Sequence, residues 1–145
     1  MRYSLDRWAA FALAVLATIA ISGCGAKRHA AETSHETVVP VTERDFRISA
    51  PKRVSAGDVV FAVDNKGPDD HELIVLREGA RHPPFRKDDI TIDEDAVERS
   101  IAGALEPGEP GTRRLKVHLT PGHYVLFCNM SGHYLGGMDR DLEVR

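Results

Sequence analysis

Near one end of the chain, Cys128-Asn129-Met130-Ser131-Gly132-His133-Tyr134-Leu135-Gly136-Gly137-Met138 puts a thiol, an imidazole and a thioether on one short segment. Together they are donors for a soft metal ion. Copper is the best fit, because its two oxidation states are both held well by one thiolate and two imidazoles in a plane with a weak methionine sulfur above it. Zinc favours a tetrahedron of nitrogen, anionic sulfur or oxygen donors, in which a thioether is a poor fourth member. The segment supplies one imidazole, so a second must come from elsewhere in the chain.

His71 is the best source. It stands where a turn-rich loop, Asn65-Lys66-Gly67-Pro68-Asp69-Asp70, gives way to the apolar run Leu73-Ile74-Val75-Leu76. Alone, such a histidine reads as an ordinary surface residue; a Cys/His/Met loop downstream changes that reading. His118 lies between Val117 and Leu119 and should point away from them into solvent, and His123 follows a Pro-Gly turn, so neither is preferred. A bland reading of the same residues keeps Cys128 as a small core hydrophobe and Met138 as core filler.

The elements that must position these donors alternate with the period of half-buried strands. Val59, Phe61 and Val63 share one face, as do Leu115, Val117 and Leu119, and Leu142 with Val144. Tyr124, Leu126 and Cys128 fall on one side of another strand, which would deliver Cys128 to its end facing the core. Gly132, Gly136 and Gly137 give the following loop the backbone freedom to bring His133 and Met138 back. Ala56-Gly57-Asp58, Asn65 to Pro68, Pro107 to Gly111 and Pro121-Gly122 are turn chemistry between the runs. Short strands so punctuated predict an all-β fold, a β-sandwich. The stretch 77–106 departs from it: long, charged and carrying Pro83-Pro84, it reads as a solvated insertion, with Thr91 to Glu94 followed by Ala96, Val97 and Ile101 predicting one short capped helix.

These features resemble the cupredoxins, the small blue copper proteins. The Cys-x4-His-x4-Met loop is similar to that of the longer-loop members, rusticyanin and auracyanin, and the resemblance covers most of residues 38–145. It implies a Greek-key β-sandwich with one copper at one end, His71, Cys128 and His133 in the plane and Met138 axial. Two departures stand out. Ser131 replaces the proline that tends to precede Gly-His, and Glu72 follows the first histidine where many members have an asparagine that braces the ligand loops. The backbone amide of Glu72 remains able to donate to the thiolate.

The beginning of the chain reads as an address. Arg2 and Arg7 precede an apolar run from Trp8 to Ile21 that ends in Ser22-Gly23-Cys24, the layout of a secretory signal over residues 1–23. Ile21-Ser22-Gly23-Cys24 also resembles a bacterial lipobox, which implies lipidation at Cys24, a flexible tether over 24–37 and an exported domain anchored to a membrane surface through its lipid. Cys128 is then the only thiol of the folded domain, and no internal disulfide is available. The formal charge of −3 for the chain, with signs mixed along it, argues against nucleic acid as a partner.

Four protein ligands leave no open coordination position, so the expected role is not that of an enzyme with a small-molecule substrate. The expectation is a carrier of single electrons between redox proteins; the alternative is a module that carries or delivers copper. Absence of a His-x-His pair argues against a multicopper oxidase. Tyr134, Leu135, Gly136 and Gly137 offer an apolar contact patch for a redox partner, and Asp69 and Asp70 put negative charge beside His71.

Overall fold

The computed structural model describes residues 36–77 and 83–145, all within one compact unit bounded by Thr33 and Arg145. The signal, Cys24 and the tether up to residue 35 lie outside the described residues. Among the described residues no helix is long and apolar enough to cross a membrane.

Among the described residues, nine strands form two sheets. In the first, β1 (Thr37–Arg44), β2 (Arg47–Ser49), β4 (Gly57–Asn65) and β7 (Gly111–Leu119) lie in the order β2-β1-β4-β7. In the second, β3 (Arg53–Val54), β5 (His71–Arg77), β6 (Ile101–Gly108), β8 (Gly122–Phe127) and β9 (Asp139–Val144) lie in the order β3-β9-β8-β5-β6. The pairs β1–β4 and β3–β9 are parallel and the rest antiparallel. The chain crosses between sheets at β2–β3, β3–β4, β4–β5, β6–β7 and β7–β8, and at the last four of these Ala56-Gly57, Asn65 to Pro68, Gly108 to Gly111 and Pro121-Gly122 supply turns. The result is the β-sandwich that the strand pattern predicts, in the Greek-key form that the resemblance implies.

Period-two alternation decides which residues fill it. Val59, Phe61 and Val63 from β4, Leu115, Val117 and Leu119 from β7, Tyr124 and Leu126 from β8, and Leu142 and Val144 from β9 meet in one core between the sheets. Cys128 and Met138 belong to the same cluster, so the loop joining β8 to β9 starts and ends in the core at one end of the sandwich. On β5, Leu73 and Val75 face this core, while Ile74 and Leu76 point to the other side of the second sheet.

That outer side is where the structure corrects the reading of 77–106. Its last residues are strand: Ile101–Gly108 pairs with β5. The helix is real but short, α1 (Glu94–Val97), and its cap is Asp93, which accepts from Ala96 N–H. Nor is the insertion merely solvated. Ile92 is fully buried and joins Ile74, Leu76 and Phe127 in a second small core, with Val97 and Tyr134 packed against it. An isoleucine can seal a cluster whose other members already project from β5 and β8, and the charges around it remain in water.

Deleting most of the Ile92 side chain removes buried contacts that little else can refill. Ile92→Ala is expected to lower unfolding free energy by about 2–5 kcal/mol in urea denaturation; a loss below about 0.5 kcal/mol, the usual range for surface substitutions, would mean that the insertion is not docked.

Candidate metal centre

The end of the sandwich that holds Cys128 is built from two chain segments arriving from different strands. His71 opens β5 and Cys128 immediately follows β8, and these strands are hydrogen-bonded neighbours. The loop after Cys128 folds as successive tight turns: His133 N–H donates to Met130 O, Gly136 N–H to Gly132 O, Gly137 N–H to Tyr134 O and Met138 N–H to His133 O. Gly132 and Gly137 take positive φ, 78° and 89°, which a side chain would resist. Cys128 N–H donates to Met138 O at 3.1 Å and closes the loop.

One donor atom each from His71, Cys128 and His133 lie within 4.8 Å of one another. Cys128 Sγ is 3.5 Å from His133 Nδ1, and the two imidazole rings stand edge to face with centroids 5.2 Å apart. His71 and Cys128 are fully buried and His133 is 7 % exposed, so His133 is the only member that reaches the surface. Met138 is fully buried within the same core cluster as Cys128. His118 points into solvent against Asp58, and His123 is exposed on β8.

The electrostatics of this pocket are those of buried donor groups. Burial pushes the Cys128 thiol up to about 11, against the pull of backbone N–H groups of Glu72 and Met130 directed at the sulfur. The Glu72 amide therefore does reach Cys128, as its position after the first histidine suggests. Burial likewise holds His71 below the usual histidine range, outweighing the Asp45 carboxylate, whose Oδ1 lies 2.9 Å from Nε2. That approach is out of line for a hydrogen bond, and neither ring nitrogen of His71 has a well-formed partner. Buried polar atoms without partners are uncommon and call for a reason; a metal ion between His71, Cys128 and His133 would supply it.

Sequence reading missed four residues here. Asp45 holds the far side of His71, and Phe46 sets its ring edge-on to His133, with centroids 5.0 Å apart, while staying half exposed. Gly136 is small for this reason as well, since a Cβ there would come within 3.0 Å of the Phe46 ring. An aromatic among the charges of Glu43 to Arg47 was the available signal.

The third is Asn129. Its side chain accepts from Ile92 N–H and donates to Ile92 O at 3.0 Å and to Glu94 Oε1 at 2.7 Å, while Gly132 N–H donates to Ile90 O. The insertion thus grips the ligand loop. The Asn129 backbone N–H donates to the Glu72 carboxylate, so Glu72 ties the His71 segment to the residue after Cys128, the task that an asparagine performs in the resemblance drawn above.

The fourth is Glu43. Counting by twos from Val39 and Val41 puts it on the inward face of β1, where it is fully buried with neither carboxylate oxygen partnered.

Comparison with solved structures bears on the fold. Auracyanin from the photosynthetic bacterium Roseiflexus castenholzii superposes with a TM-score of 0.52 at 19 % identity, covering 75 % of this chain and 97 % of that one. Reduced rusticyanin gives 0.59 at 17 %, covering 78 % and 81 %. Auracyanin A, described as a "blue" copper protein from Chloroflexus aurantiacus, gives 0.58 at 15 %, covering 76 % and 99 %. The chain has the cupredoxin fold. No family model matches the sequence, and no curated protein matches it significantly. The cupredoxin fold therefore rests on strand order and superposition, and the site on the residues themselves.

Burial pushes Glu43 up to about 7, despite the opposing pull of Arg113. A carboxyl that binds its proton more tightly when folded than when unfolded makes stability fall as pH rises from the ordinary carboxylate range to about 7, with no further loss above. In the metal-free protein, Glu43→Gln should remove a difference on the order of 3 kcal/mol between about pH 5 and pH 8, read by urea denaturation. Identical pH dependence in variant and parent would contradict the assignment.

Proposed function

We propose that this domain holds one copper ion and carries single electrons between redox proteins. The observation that supports it most is the meeting of a buried thiol and two imidazoles within 4.8 Å at one end of a cupredoxin fold. In this reading His71, Cys128, His133 and Met138 would hold the ion, a donor set that suits both oxidation states of copper. When bound, copper supplies reversible one-electron exchange.

The chain's own residues do the rest. With Nε2 of His71 set against Asp45, Nδ1 is the nitrogen left for the metal. The Glu72 and Met130 amides favour a thiolate at Cys128, stabilising the charged sulfur and tuning the potential. Rigid strands and the Asn129 clamp let both oxidation states share one geometry. His133 is the exit for the electron, because it alone among the three reaches the surface. Around it Leu135 and Phe46 are exposed and apolar, with Phe46 edge-on to His133, the kind of small surface used in brief redox encounters. Withdrawal of His71 and Cys128 from solvent disfavours the copper-delivery alternative, which needs ligands that an acceptor can reach. We also propose that the signal at 1–23 exports the domain and that lipid on Cys24 anchors it to a membrane.

Copper added to the purified domain should produce an intense visible thiolate-to-copper band that Cys128→Ser abolishes; a colourless protein that takes zinc equally well would overturn the reading. If Asp69 and Asp70 steer a basic redox partner, Asp69→Asn with Asp70→Asn should slow association at low salt and flatten its salt dependence. Unchanged rate and salt dependence would remove the steering role.

A further inference from the structure

Glu43, buried near the site, is not one of the metal ligands proposed above. It projects from β1 into the interior two residues before Asp45, the carboxylate set against His71. Across the first sheet it pairs with Ile48 of β2 and Asn65 of β4, both uncharged, and the Asn65 side chain is committed to Gly67 N–H, Asp69 O and Gly108 O. The nearest counter-charge is Arg113 of β7, but its two terminal nitrogens donate to Glu106 O and His71 O. From β5 Glu72 adds negative charge, and from the end of β8 Cys128 feels the charge of Glu43 in return. An ionised carboxylate without water or a donor is strongly disfavoured. This one is in electrostatic reach of the thiol that the proposed function gives to copper.

Resting on that function, we propose that Glu43 is a redox-linked proton site, so that the protein carries a proton together with its electron. The balance is one electron from a one-electron donor and one proton from solvent. Reduction lowers the charge at the metal centre by one, and Glu43 carboxylate becomes the neutral acid; oxidation returns both. The direction follows from Coulomb attraction. A metal centre that loses one positive charge holds the Glu43 carboxylate less, so proton affinity rises on reduction and, by linkage, the reduction potential falls as pH rises. Cys128 stays a metal-bound thiolate throughout, and Asp45 and Glu72 face His71 and Asn129 in both states.

The test is the reduction potential of the copper-loaded protein across pH around neutrality. With one proton per electron, the oxidised-to-reduced ratio at fixed electrode potential should shift by up to about tenfold per pH unit, and Glu43→Gln should abolish that slope. Protonation of a histidine ligand in the reduced state would survive in Glu43→Gln and is thereby separated. A redox-difference infrared spectrum gives a direct readout: a protonated carboxyl band should appear on reduction, shift in heavy water and be missing from Glu43→Gln, which separates it from Glu72, likewise pushed up to about 7 by burial. A pH-independent potential, or no carboxyl band, with the visible copper band intact, would sink the proton site alone. Absence of the copper band would sink the copper reading and this inference together.

Discussion

Keeping a thiol and two imidazoles within 4.8 Å of one another and away from water is the constraint from which the rest of the domain follows. Each group prefers its charged or hydrogen-bonded form in water, and burial works against both, as the raised thiol and lowered imidazole show. Such groups stay together only if the backbone holding them cannot relax. A sandwich supplies that rigidity, because β5 and β8 are adjacent strands of one sheet and deliver His71 and Cys128 to the same end. The loop to Met138 is then short, internally hydrogen-bonded and closed on Cys128 itself.

Support around these donor groups is distributed over elements distant in sequence. Asp45 comes from the turn after β1, Arg113 from β7 donates to the carbonyl of His71, and Glu72 receives the amide of Asn129. Asn129 in turn is held by the insertion, whose only deeply buried side chain, among the described residues, is Ile92. The insertion therefore closes the outer face of the second sheet and fixes the ligand loop from the side opposite the core. Hydrogen bonds of this kind orient ligands and tune a metal more than they add stability.

What could be read from sequence was whatever depends on local period and spacing. Alternation placed Val59, Phe61, Val63, Leu126 and Cys128 on inward faces correctly, and turn residues marked four of the five crossings between sheets, all but β2–β3. His71 was found from the loop-to-strand switch around it, and His118 was set aside by counting positions. Contacts formed only by tertiary packing were not legible. Asp45 and Phe46 act through a turn whose approach to His71 and His133 no periodicity encodes, and Asn129 bonds to residues 37 positions away. Charge content made 77–106 look solvated, because Ile92 is its one deeply buried side chain among the described residues while its neighbours are half-buried or exposed. Glu43 was visible to the same counting that placed Val39 and Val41, but a carboxylate on an inward face runs against the usual burial of apolar side chains.

X-ray absorption at the copper edge of the loaded domain tests the central claim most directly, because it reads the metal's neighbours and not a consequence of them. Convergence of Cys128, His71 and His133 predicts one short copper–sulfur bond with two imidazole nitrogens at bonding distance. A shell of oxygen and nitrogen without sulfur would contradict it.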